Sequence, residues 1–98
     1  MTKLTEGEIE TRLTKLDGWS ELNDAIQRTF TFDDFASAMK FVNKIAEAAE
    51  KMQHHPDILI RYNKVTLTLT THDAGGISEK DFNLAAEADN IAESFEQA

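Results

Sequence analysis

Cysteine is absent from these 98 residues, which excludes disulfides and any Cys-based zinc site and suits a reducing compartment. Long apolar runs are missing as well. The opening Met1-Thr2-Lys3-Leu4-Thr5 has no signal-peptide core, and no stretch approaches the ~20 apolar residues of a membrane span. A cytoplasmic chain with no membrane partner is therefore expected. Positive charge is scarce: 18 acids against 10 bases give a formal net charge of -8, which repels phosphate backbones and argues against direct nucleic-acid binding. Internal repeats, low-complexity segments and linkers are also lacking, and the length leaves room for one domain, residues 1–98. Its hydrophobic fraction of 41% is enough for a two-layer core.

Local patterns divide the chain into seven elements. Thr5 and Glu8 read as a capping box, with Leu4 and Ile9 as its hydrophobic staple. Ile9, Leu13 and Leu16 then mark one face of a short helix that Gly18 can terminate. From Trp19 to Phe32 the period becomes two, with Ile26, Phe30 and Phe32 on one side and Asn23-Asp24 as a hairpin turn. The longest helix is expected from Asp33 to Met52, its core stripe formed by Phe35, Met39, Val42, Ile45, Ala46, Ala49 and Met52. Glu50 falls at the margin of that stripe, placed to meet whatever follows the helix.

Pro56, the only proline, holds the preceding residue out of the helix. Ile58 to Tyr62 and Val65 to Thr70 alternate on either side of an expected Asn63-Lys64 turn, forming a second hairpin. Continued alternation puts His72 in phase with the threonines, on the face opposite Val65 and Leu69. Asp73-Ala74-Gly75-Gly76 reads as a flexible connection. Ser78 and Asp81 repeat the capping-box pattern before a last helix whose apolar side holds Phe82, Ala85, Ala86, Ile91, Ala92 and Phe95. The order α-β-β-α-β-β-α gives an α+β fold, a four-stranded antiparallel sheet with three helices on one face and a threonine-lined face left open.

What the chain does have is a pair of adjacent histidines, His54 and His55, stiffened by Pro56, and a third histidine at position 72. Imidazole has an unperturbed pKa of ~6.5 and can both donate and accept protons near neutrality. No other part of the sequence offers a nucleophile-and-base set. A zinc site built from these imidazoles and Glu50 is the rival reading. It is the weaker one, because adjacent ligands chelate one ion poorly and no histidine pair has helical i, i+4 spacing. Tyr62 and Trp19 read as core or pocket-wall aromatics, and the local reading of Asp81 is the helix cap.

Read onward from the pair, the chain gives His54-His55-Pro56, five residues, Tyr62, nine residues, His72, eight residues, Asp81. With its surroundings, His54-His55-Pro56-Asp57, Tyr62-Asn63-Lys64-Val65 and Thr70-Thr71-His72-Asp73 before Gly75-Gly76, this resembles the signature of the pterin-4a-carbinolamine dehydratases. The resemblance extends to length and element order. It implies dehydration of a 4a-hydroxytetrahydropterin, such as 4a-hydroxytetrahydrobiopterin, to quinonoid dihydropterin and water, in recycling of the pterin used by aromatic amino acid hydroxylases. It assigns acid–base work to His54 and His72 and holding of the pterin to His55. Glu50, from its place at the end of the long helix, is expected in the substrate-binding set, and such a dehydration needs no metal or organic cofactor. How two adjacent side chains reach one pocket is not visible in the sequence, since neighbours on an extended backbone diverge. The acidic residue that precedes the pair in mammalian members is here Gln53. The same resemblance carries a competing class: mammalian members also act as dimerisation cofactors for a homeodomain transcription factor, so a non-catalytic dimerisation or scaffold module is the alternative. A homodimer or dimer of dimers is expected on either reading, because an open sheet leaves unpaired edges.

Overall fold

A computed structural model describes residues 2–96. Helix α1 (Glu6–Leu13) begins at a reciprocal cap: the Glu8 N–H donates to Thr5 Oγ1 (3.2 Å) and the Thr5 N–H to the Glu8 carboxylate (2.9 Å). Two donors that a helix start leaves orphaned are thereby satisfied. The helix ends earlier than Gly18. The Thr14 hydroxyl donates to the Thr11 carbonyl (2.6 Å), a local bond that competes with helix continuation, and Leu16 lies in the turns beyond. Gly18 is left-handed there (φ 91), where a Cβ would come within 2.8 Å of the Arg28 guanidinium.

Strands β1 (Ser20–Leu22) and β2 (Ala25–Thr31) pair through the expected Asn23-Asp24 turn. Helix α2 (Phe35–Met52) follows, then β3 (Asp57–Arg61), β4 (Lys64–Leu69), a short 3-10 turn (His72–Ala74) and α3 (Glu79–Glu96). The four strands form one antiparallel sheet in the order β1-β2-β4-β3. This is the α+β arrangement that the alternations imply. Among the described residues no helix is long and apolar enough to cross a membrane.

The second hairpin turns one residue earlier than expected. Arg61 pairs with Lys64, so the turn is Tyr62-Asn63, with Tyr62 in the left-handed region (φ 55). Asn63 fixes that choice: its side-chain amide donates to the Phe32 carbonyl (2.8 Å), and its own carbonyl accepts the Phe32 N–H (2.9 Å). Tyr62 is consequently neither core nor pocket wall; its residue is 68% exposed. Trp19, by contrast, is buried and donates its indole N–H to Asp89 (2.9 Å).

Val65, Leu67 and Leu69 of β4 and Ile26 and Phe30 of β2 are buried under α2 and α3. Phe41 packs between Phe30 and Phe32, with ring centroids 4.9 Å from each. The buried stripe of α2 is Ala38, Phe41, Ile45 and Ala49; Phe35 and Ala46, expected inside, are exposed. On α3, Leu84 and Ala88 are buried and Ala86 is exposed. Both helices carry apolar residues on more than one face, so periodicity alone does not say which face meets the sheet.

Candidate active site

The site lies where the end of α2, the end of β4 and the start of α3 meet. Gln53 closes α2 in a left-handed conformation (φ 53), its N–H returning to the carbonyls of Ala49 and Glu50, and the His54 N–H also reaches Ala49 (3.1 Å). This turn on one side and Pro56 on the other separate the two neighbouring imidazoles. His54 points inward and its residue is only 8% exposed, whereas His55 faces outward.

Each imidazole is held by a carboxylate through Nε2. His54 pairs with Asp81 (2.5 Å) and His55 with Glu50 (2.5 Å). Asp81 is fully buried. Its Oδ2 accepts both the Ser78 N–H (2.9 Å) and the Thr71 hydroxyl (2.9 Å), while the Ser78 hydroxyl donates to Thr71 and in turn accepts the Lys80 N–H. A carboxylate engaged this way is an acceptor on every side, so the His54 proton sits on Nε2. In the neutral imidazole the lone pair is then on Nδ1. Nδ1 makes no hydrogen bond to the protein, and no buried side-chain nitrogen or oxygen is left unpaired among the described residues; Nδ1 therefore meets solvent.

His72 opens the 3-10 turn directly after β4, exposed and without a side-chain partner among the described residues. The segment expected to be flexible is tied off instead. Thr71 and Gly76 form a bridge, with the Thr71 N–H donating to Gly76 (3.0 Å) and the Gly76 N–H returning to Thr71 (3.3 Å), because Gly75 takes the left-handed position (φ 77) that reverses the chain.

All three histidines line one pocket of about 230 Å³, together with Gln53, Thr70, Thr71, Asp73 and Lys80. Glu50 does not line it and reaches it only through His55. Sequence reasoning missed Lys80, and it read Asp81 as a cap without its bond to His54. The cap was visible from a spacing of three residues; nothing local marks a contact 27 residues away. Among the described residues no three His, Cys, Asp or Glu side chains are grouped to hold a metal ion.

Comparison with known proteins fits this arrangement. The family model described as pterin 4 alpha carbinolamine dehydratase matches residues 2–91. The chain belongs to the pterin 4 alpha carbinolamine dehydratase family. A protein of Picosynechococcus sp., provisionally named a pterin-4-alpha-carbinolamine dehydratase, is 52% identical over 90 residues, covering 92% of this chain and 98% of the relative. Among solved structures, one described as a transcriptional coactivator/pterin dehydratase from Brucella melitensis superposes with a TM-score of 0.90 at 41% identity, over 93% of this chain and 99% of that one. A pterin dehydratase-like protein described as a RuBisCO assembly factor in the alpha-carboxysome shares the dehydratase fold at a TM-score of 0.63 and 24% identity, over 76% of this chain and 86% of its own.

Proposed function

We propose that the chain dehydrates a 4a-hydroxytetrahydropterin to quinonoid dihydropterin and water by histidine acid–base catalysis, as a step in tetrahydropterin recycling in the cytoplasm. The observation that carries this reading is the convergence of His54, His55 and His72 on one pocket, with His54 held from behind by a buried carboxylate. In the reaction the C4a–O bond breaks, the departing hydroxyl gains a proton and leaves as water, and the N5 proton is lost as the C4a–N5 double bond forms. One group must give a proton and one must take one.

The lone pair on His54 Nδ1 supports this residue as the group that takes the N5 proton. Asp81, accepting from Nε2, holds the ring in the orientation that leaves Nδ1 free for this. His72, on the other hairpin-helix junction and in contact with solvent, is then the donor to the hydroxyl. His55, steadied by Glu50, holds the ring. No step calls for a metal or an organic cofactor.

Steady-state turnover of a 4a-hydroxytetrahydropterin tests the assignment. His54→Ala and His72→Ala should each lower turnover by about 100-fold or more with thermal stability near wild type, whereas His55→Ala should mainly raise KM. Exhaustive chelation should leave the rate unchanged. Wild-type turnover in both His54→Ala and His72→Ala would remove the mechanism. The second reading, a non-catalytic dimerisation or scaffold module, is favoured by the exposed apolar side chains Phe35, Leu59 and Tyr62, none of which lines the histidine pocket. A well-folded but inactive wild-type protein would select it.

A further inference from the structure

Among the residues that line the histidine pocket, Lys80 alone is a lysine or arginine. It sits in the first turn of α3 directly before Asp81, its N–H donating to the Ser78 hydroxyl (3.3 Å). Consecutive side chains on a helix diverge by about 100°, so Asp81 turns inward to His54 while Lys80 stays half-buried at the pocket wall. Among the described residues no carboxylate lies within ion-pair distance of its ammonium, not even Asp73 of the same pocket. On the open face of the sheet a second cleft of about 520 Å³ adjoins, sharing Thr70, Thr71 and His72 and bordered by Leu22, Asn23, Asp24 and Ala25, and no lysine or arginine lines it. The cation belongs to the pocket where the imidazoles meet.

Other donors of that pocket are already committed inside the protein. The Thr70 hydroxyl donates to the Asp24 carbonyl (2.6 Å), the Thr71 hydroxyl to Asp81 (2.9 Å) and the Gln53 amide to the Glu50 carbonyl (2.9 Å). His54 and His55 meet their carboxylates through Nε2. His72 and Lys80 remain, and in the proposed reaction His72 serves the departing hydroxyl. A pterin brings to such a pocket one strong acceptor, the oxygen on C4. C4 and N5 are both bonded to C4a, one in each ring, so that oxygen and N5 lie side by side on one edge of the molecule. With N5 at His54, the oxygen faces the adjoining wall, which the residue next to Asp81 supplies.

Resting on the dehydratase reading, we propose that Lys80 is a specificity-determining residue whose ammonium donates to the C4 carbonyl oxygen of the bound pteridine, so that the pocket selects 4-oxo over 4-amino rings. An ammonium has three donors and no acceptor. It hydrogen-bonds a carbonyl but meets an amino group donor to donor, and a site built around a polar partner rejects the analogue that cannot supply it. The bond is made before water departs and persists while it departs, so it contributes to binding rather than to the chemical step.

Fluorescence titration with two stable ligands, 6-methyl-7,8-dihydropterin and its 2,4-diamino counterpart, reads this selectivity at a pH where both are uncharged. The wild type should bind the oxo ligand tighter by roughly 10-fold. Lys80→Met keeps the stem and removes the donor, and should close that gap by losing affinity for the oxo ligand. Lys80→Arg, which keeps a donor, should preserve the gap, and so should Lys44→Met, the same charge change at an exposed position outside the pocket. In turnover of a 4a-hydroxytetrahydropterin, Lys80→Met should raise KM by roughly 10-fold with kcat close to wild type. Equal affinity of the wild type for the two ligands, a gap that Lys80→Met leaves intact, or a fall in kcat with KM unchanged would overturn the assignment. A folded wild type that binds the oxo ligand selectively through Lys80 yet turns over no carbinolamine would strike the dehydratase reading and support the role of Lys80.

Discussion

At the scale of single residues, Asp81 joins two roles that sequence reading treats separately. It caps α3 through Ser78 and it orients His54. Asp81→Asn keeps the shape but changes how His54 is oriented, because an amide nitrogen facing His54 Nε2 would be a donor and the imidazole would have to carry its proton on Nδ1. We expect turnover to fall by about 100-fold while the protein stays folded. Nitrogen NMR of the imidazole should show the proton moving from Nε2 to Nδ1, and an unchanged tautomer with unchanged turnover would contradict this role. The cap was legible because Ser78 and Asp81 are three positions apart and both bonds are local. The contact with His54 was not, because it depends on how α2 and α3 are laid side by side, and only the family-like spacing hinted at it.

At the scale of elements, local rules predict starts well and faces less well. Asp34 caps α2 by accepting the Ser37 N–H (2.8 Å), and that backbone hydrogen bond holds its carboxyl below the ordinary carboxylate range. A carboxyl whose folded pKa is depressed adds stability above its unfolded value, about 4, and loses it as pH falls through the folded value. Asp34→Ala should accordingly melt below the wild type at about pH 7, with the difference shrinking at about pH 3 as the wild-type carboxyl becomes protonated. Thermal melts at both pH values check this, and a gap of the same size at both would contradict it. The face of α2 was misjudged for a physical reason. Phe35, Met39, Val42 and Ala46 lie about a quarter-turn from Ala38, Phe41, Ile45 and Ala49, and the expected stripe mixed the two. The sheet takes the second set, Val42 and Met52 pack at its border, and Phe35 and Ala46 are left outside. In β4 no such ambiguity exists, since threonines alternate strictly with Val65, Leu67 and Leu69, and the apolar three are the buried face, as expected; its pairing with β3 shifted with the turn.

At the scale of the whole molecule, the stripe that the sheet does not take calls for an occupant. Phe35 is 50% exposed, and on the edge strand β3 Leu59 is 55% exposed. β1, the other edge, is only three residues long, a length that itself discourages pairing. We propose a homodimer or dimer of dimers in which a second copy covers β3 and the outer stripe of α2. Light scattering at micromolar concentration should give twice or four times 11.0 kDa, and Leu59→Lys should shift the population toward the single chain. A mass near 11.0 kDa for the unaltered protein would reject the assembly.

The residues lining the histidine pocket all fall between positions 53 and 80, while the adjoining cleft draws part of its wall from Leu22 to Ala25. The three imidazoles and the Leu22–Ala25 border of the cleft therefore sit on different stretches of one short gene. Recombination between relatives anywhere along α2 would exchange that border and pass the three imidazoles on as an unbroken block. The surroundings of the histidine pocket can thus vary by crossover, without a single substitution among the three histidines.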